Sequence, residues 1–242
     1  MDITPEEFYA RLASDAIPPT TSQPAPKTFL EAYRKAAESG ASQVLVITIS
    51  SAMSGTIESA RRAAQESPIP VHVMDGKNNS MGLGWQVIAA ARARETGAGL
   101  EAMIAAADAV QKKIVYFITL DTIDYLRRGG RISDAARFLN SILQIKPLIY
   151  VNPEKGTVGA SIPARSRKSA IEGLYKEFFH HFTNGQALHI TVLHNAAFEE
   201  ARELMKRVQD AYAPVEIFIS ITAPVLGAHT GPRALALCGY AD

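Results

Sequence analysis

The chain has 242 residues, of which 47% are apolar, and carries 25 Lys and Arg against 24 Asp and Glu. That length holds one large domain or two small ones. A net charge of +1 gives no reason to expect nucleic acid or an anionic membrane as a partner. The single Cys238 excludes an intrachain disulfide and fits a reducing compartment. No apolar run approaches the roughly 20 residues that cross a bilayer, so no transmembrane segment is expected. The acidic opening MDITPEEFY does not have the form of a signal peptide. The expectation is a cytoplasmic α/β protein.

Thr4, Pro5 and Glu7 form a helix start, with a hydroxyl cap, a proline in the first turn and the acid of a capping box. Phe8 and Leu12 share one face of that helix. Prolines at 18, 19 and 24 then hold an extended loop. A second helix starts near Pro26, turns Phe29, Tyr33 and Ala36 inward, and stops at Gly40. Residues 43–49 are almost continuously apolar and β-branched, as a strand covered on both faces is. A small-residue turn at 50–56, a helix at 57–65, a strand at 69–75, a turn at 76–80 and a helix at 84–95 follow. This alternation predicts a parallel sheet with helical crossovers. A helix at 100–110 closes the first half, and the boundary is set near Lys112, giving domains 1–111 and 112–242.

The second half alternates differently. A strand is expected at 114–119, helices at 122–128 and 133–143, and a hairpin of 146–151 with 157–162 around Asn152-Pro153-Glu154-Lys155-Gly156. A helix at 165–182, a strand at 187–193, a helix at 196–212 and strands at 215–221 and 234–240 complete the chain. A hairpin among βα units predicts a mixed sheet.

Ligands in open parallel sheets bind beyond the carboxyl ends of strands. After the strand at 43–49 comes Ser50-Ser51-Ala52-Met53-Ser54-Gly55-Thr56, which leads into a helix. Ser54 and Thr56 offer hydroxyls, Gly55 admits a close approach to the backbone, and the helix start offers free N–H groups. The segment suits a carboxylate or phosphate, or simply caps the helix. The glycines at 82 and 84 lack the third glycine of a dinucleotide fingerprint, and there is no Walker A motif. Arg127, Arg128 and Arg131 flank Gly129-Gly130, either clamping an anion or ending a helix in solvent. Arg165, Arg167 and Lys168 stand at a helix start, where cations oppose the helix dipole and call for a nearby anion. The histidines at 72, 180, 181, 189, 194 and 229 fall in no metal-binding spacing, so no metal is expected. His229 lies in Gly227-Ala228-His229-Thr230-Gly231-Pro232, whose glycines form a turn that presents the imidazole.

Taken together, Thr21-Ser22-Gln23-Pro24, Ile49-Ser50-Ser51-Ala52-Met53-Ser54-Gly55-Thr56, Leu126-Arg127-Arg128-Gly129-Gly130-Arg131-Ile132, Ile145-Lys146-Pro147 and His229-Thr230-Gly231-Pro232 resemble, in this order, the DegV family of bacterial fatty-acid-binding proteins. The resemblance runs over nearly the whole chain. It implies a two-domain α/β protein with a long-chain fatty acid in a buried tunnel and no cofactor. Thr21 or Ser22, Ser54 with Gly55 and Thr56, and His229 would hold the carboxylate. Arg127, Arg131, Arg165 and Arg233 would support the site or face a partner. That partner would be a separate fatty acid kinase, to which the protein presents the carboxylate for phosphorylation.

Three departures from the family pattern stand out. The chain begins after the strand with a Thr-Asp-Ser motif that usually opens the family. Asp75-Gly76 replaces an Asp-Ser, and Gly231-Pro232-Arg233 replaces a Gly-Pro-Gly. Two other readings remain at this point. One is a phosphoryl- or acyl-transfer enzyme using Ser54 and His229. The other is a degenerate relative that binds nothing.

Overall fold

The computed structural model describes residues 3–132 and 145–242. The helix expected at 133–143 lies outside the described residues. The chain divides into two compact units.

One unit comprises Ser22–Lys112 and Pro153–Thr157. Its sheet is the parallel pair β1 (Val44–Thr48) and β2 (Val71–Asp75), in register from Val44 opposite Val71 to Thr48 opposite Asp75. Helices α2 (Pro26–Glu38), α3 (Thr56–Ala64), α4 (Ser80–Glu95) and α5 (Leu100–Lys113) follow the expected alternation. Tyr33, Ile57, Ala60, Ala63 and Trp85 are buried. A pair of amides closes the end of β2. Gln86 donates to the carbonyls of Gly76 at 2.8 Å and Gly82 at 2.7 Å, and Gln111 donates to the Asp75 carbonyl at 2.8 Å. Asp75 ends β2, Gly76 lies just past it and Gly82 is in the first turn of α4, so the two amides join the strand end to the helix start. Helix α4 starts four residues earlier than the glycines at 82 and 84 suggested. A Cβ at Gly82 would lie 2.0 Å from the Asn78 side chain, so this glycine serves close packing rather than a turn.

The other unit comprises Met1–Thr21, Lys113–Asn152 and Val158–Asp242. Its mixed sheet has six strands in the order β5-β4-β3-β8-β6-β7. They are β3 (Val115–Thr119), β4 (Leu148–Val151), β5 (Val158–Ala160), β6 (Leu188–His194), β7 (Glu216–Ile221) and β8 (Leu235–Ala241). Only β6 and β7 pair in parallel. The antiparallel pairs are β3 with β4, β4 with β5, and β8 with both β3 and β6. Every residue of β6 and β8 is buried. That burial explains why β8 is almost wholly apolar rather than alternating, while β6 also buries His189, Thr191 and His194.

Helix α7 (Arg167–Phe179) and helix α8 (Phe198–Tyr212) cover this sheet. Leu174, Phe178 and Phe179 of α7 and Ala201, Leu204 and Val208 of α8 pack on Phe117, Ile190, Val192, Leu235 and Leu237. The spacing 201, 204, 208 is one helical face. Helix α1 (Pro5–Ser14) has the expected capping box: Thr4 accepts from the Glu7 amide, and Glu7 from the Thr4 amide. The hydroxyl of Tyr9 on α1 donates to the carbonyl of Thr222 at 2.8 Å, tying the start of the chain to a segment more than 200 residues on. Short helices α6 (Asp124–Arg128) and α9 (Pro224–Thr230) complete the unit. Among the described residues, no helix is long and apolar enough to cross a membrane.

Helix α7 starts at Arg167, not at Arg165, because Ser166 caps it through a reciprocal bond pair with Ser169. Arg167 then grips Glu200 on α8 with two parallel bonds of 2.9 and 2.8 Å. This guanidinium holds the Glu200 carboxyl below its ordinary value.

Two expectations follow. Phe178 is fully buried, so Phe178→Ala lowers the unfolding free energy in urea by about 3–5 kcal/mol. Glu200 has a depressed pKa in the folded state, so its stabilisation is present above the ordinary carboxylate value of about 4.3 and is lost as pH falls through the lower folded value. Glu200→Gln costs about 1–3 kcal/mol at pH 7 and flattens the acid limb of the stability curve.

Candidate functional site

The expected site residues form two groups, one in each unit. In the unit carrying the six-stranded sheet, His229 stands on the last turn of α9, next to Thr230 and Gly231. The sequence pointed to a glycine turn here. The structure has a helix instead, and its amphipathic signal is hidden by its length of seven residues and its internal Gly227. Gly227 is required by packing, since a Cβ there would lie 2.5 Å from the Tyr9 hydroxyl. Gly231 ends the helix at φ +74°, a backbone conformation that favours glycine.

This helix end is fastened by Asn195, a buried residue that the sequence reading passed over. Its side-chain amide donates to Thr230 Oγ1 at 2.8 Å and to the Gly231 carbonyl at 2.6 Å. Its backbone carbonyl accepts from Arg233 N at 2.7 Å. Nothing local marks Asn195 as important, because its partners lie more than 30 residues away. With the backbone so held, the Nε2 of His229 lies 2.8 Å from Thr21 Oγ1. Both side chains are half-buried. Burial, followed by the nearby Arg131, pushes the His229 pKa below its ordinary value, so the neutral imidazole is favoured.

The arginines have separate places. Arg131 donates to the Gly129 carbonyl at 2.9 Å, and Arg127 lies 3.9 Å from Asp124. Arg165 is exposed, two residues before α7. Arg233 has φ +59°, a left-handed conformation that accounts for the glycine expected there; its guanidinium lies 3.6 Å from Glu200. An apolar recess of about 710 Å³ also lies along α1, lined by residues including Phe8, Leu12, Ile17, Pro18 and Pro19.

In the unit with the two-stranded sheet, Ser54 Oγ lies 2.8 Å from Thr56 Oγ1 and accepts from the Thr56 amide at 3.3 Å. Gly55 is the N-cap of α3 and supplies no side-chain cap; the hydroxyl of Ser54, one residue earlier, takes the Thr56 amide instead. The space over Gly55 is taken by Gln23, whose Oε1 would lie 2.1 Å from a Cβ there. Ser22 is exposed. Ser50 is committed to structure, since its buried hydroxyl donates to the Gly156 carbonyl at 2.8 Å. Asp75 accepts from Ser51 N, Ser51 Oγ and Lys77 N. Its neighbour Gly76 has no room for the serine of the family pattern, because a Cβ would lie 2.6 Å from the Thr48 carbonyl oxygen. One unit offers the Thr21 hydroxyl beside an imidazole, and the other offers the Ser54 and Thr56 hydroxyls at the start of α3; each set is of a kind that suits an anionic head group. Among the described residues no cluster of His, Cys, Asp and Glu is arranged to hold a metal.

Known proteins carry the same framework. A family model described as "Uncharacterised protein, DegV family" matches residues 1–242. A DegV domain-containing protein of Streptomyces coelicolor is 37% identical over 221 residues, covering 91% of this chain and 78% of the relative. Among solved structures, a DegV family protein of Thermus thermophilus, described by its fatty acid binding, superposes with a TM-score of 0.91 at 33% identity, covering 100% of this chain and 85% of the other. A stearic-acid-binding protein of Eubacterium ventriosum gives a TM-score of 0.88 at 26% identity, covering 100% and 85%. The chain belongs to the DegV family.

Proposed function

We propose that this protein binds a long-chain fatty acid and presents its carboxylate to a separate fatty acid kinase. The observation that carries the reading is the Thr21–His229 hydrogen bond, in a chain whose solved relatives are described as binding fatty acids. A carboxylate taken out of water is costly unless donors satisfy it. Thr21, supported by His229, with Ser22, and Ser54 and Thr56 with the amide of Gly55, are the donors we assign to it. Hydroxyls and amides hold the group without a fixed ion pair, so it remains open to phosphoryl transfer. Each buried methylene adds about 0.8 kcal/mol, so the gross contribution of a sixteen-carbon tail is on the order of 10 kcal/mol.

In this reading the protein is a carrier. The kinase moves the terminal phosphoryl group of a nucleoside triphosphate onto the carboxylate oxygen and releases the diphosphate. Exposed Arg127, Arg131, Arg165 and Arg233 are assigned to supporting the head group or meeting the kinase. The buried free thiol of Cys238 supports a cytoplasmic setting. The alternative of a transferase built on Ser54 and His229 gains no support from the geometry. Such an enzyme needs a base bonded to its nucleophile, whereas the partner of Ser54 is Thr56 and that of His229 Nε2 is Thr21.

Titration of the full-length chain with stearate by calorimetry is expected to show one site. Ser54→Ala and His229→Ala should each weaken binding by about 1–3 kcal/mol, the cost of leaving an acceptor unsatisfied. Unchanged affinity in both variants contradicts the assignment. Loaded protein mixed with the kinase and a magnesium nucleoside triphosphate should yield acyl phosphate; the loaded protein with nucleotide alone should yield none.

A further inference from the structure

The imidazole of His229 sits against Gly129, the C-cap of α6. A Cβ at residue 129 would lie 2.0 Å from Nδ1 and 2.8 Å from Cε1. The backbone at Gly129 is ordinary helical, φ −75° and ψ −8°, so no left-handed conformation calls for glycine here. Only the space for the imidazole does. Nδ1 itself is buried and has no hydrogen-bond partner among the described residues. The ring therefore has two unlike sides: Nε2 meets the hydroxyl of Thr21, and Nδ1 meets the α-carbon of a glycine.

This asymmetry decides where the proton resides. A proton on Nδ1 would be a buried donor with no acceptor among the described residues, pressed against the α-carbon of Gly129. Unmet buried N–H groups are rare for that reason. A bare lone pair at Nδ1 makes only a weak C–H contact with Gly129. The ring then carries its proton on Nε2 and donates it to Thr21 Oγ1. A hydroxyl has one hydrogen to give and two lone pairs. Since the imidazole fills a lone pair, the Thr21 hydrogen is left free for another acceptor. In the opposite tautomer Nε2 would consume that hydrogen, and Thr21 would turn lone pairs toward an incoming anion.

We propose that Gly129 is a positioning residue that fixes His229 as the Nε2–H tautomer and thereby makes Thr21 a hydrogen-bond donor to the ligand carboxylate. The part of this concerning the ligand rests on the fatty-acid reading above; the tautomer does not. It assigns a role to the first glycine of Arg127-Arg128-Gly129-Gly130-Arg131, which the sequence left open between an anion clamp and a solvated helix end. It also gives Arg131 a consistent part. Its guanidinium, bonded to the Gly129 carbonyl, disfavours a second proton on the ring.

The test uses the full chain labelled with ¹⁵N-histidine, with the His229 signals assigned by their loss in His229→Gln. Long-range proton–nitrogen correlation of the ligand-free protein should show Nε2 protonated and Nδ1 bare. In Gly129→Ala that pattern should be lost, and stearate affinity should fall by about tenfold or more, with the circular dichroism spectrum unchanged. Thr21→Val, which needs no repacking at residue 129, should cause a comparable loss of affinity. A protonated Nδ1 in the wild-type protein, or full affinity in either variant, overturns the proposal. A wild-type protein that shows bare Nδ1 but takes up no stearate overturns the binding reading and leaves the tautomer assignment standing.

Discussion

The unit that carries His229 depends on the placement of β8. This last strand lies between β3 and β6 and hydrogen-bonds to both, with all seven residues buried. A strand bonded on both edges and packed on both faces has little freedom of register, because a slip would disturb both ladders and the packing on either side. The segment just before it is therefore fixed as well. That segment is the end of α9 with Gly231, Pro232 and Arg233, and it is joined to the end of β6 through Asn195. The His229 ring inherits its position from the sheet, two residues upstream of a glycine and six upstream of the strand.

The other unit solves the same problem on a smaller scaffold. Two parallel strands supply little sheet, so the loops at their ends are fastened by side chains. Asp75 gathers three donors, Gln86 and Gln111 close the carbonyls after β2, and Ser50 reaches Gly156. Lys77 and Ser80 hold left-handed backbone conformations there, at φ +46° and +45°. Such strain persists only where surrounding bonds over-determine it, and it gathers where a chain builds binding geometry. Arg233 is the corresponding position in the larger unit. There the strain is set against contact with Glu200, which is already tied to Arg167.

Much of this fold was legible because strand burial and helix capping are local signals. The apolar run at 43–49, the Thr4–Glu7 box and the hairpin around residues 152–156 each carry their own cause. The parallel and mixed sheets appear as expected. What escaped was set by distant partners. Helix α1 joins the sheet of the later residues through Tyr9 and Thr222, a bond no window of sequence contains. Helix α9 is too short and too glycine-rich to declare itself, and its Gly227 is a packing residue for Tyr9. Arg165 looked like the charge at a helix start, whereas Ser166 and Ser169 move the start to Arg167, which takes the ion pair. Asn195 and Gly129 show the limit most clearly: each matters only because His229, far along the chain, needs a held backbone and an empty space.

In the function we propose, neutral donors on this framework hold the carboxylate of a long-chain fatty acid. Native mass spectrometry of the protein as purified, with lipid extraction alongside, tests it most directly. One fatty acid of about sixteen to eighteen carbons per chain, close to stoichiometric, is expected. A protein that arrives empty and stays empty after incubation with added fatty acid would contradict it.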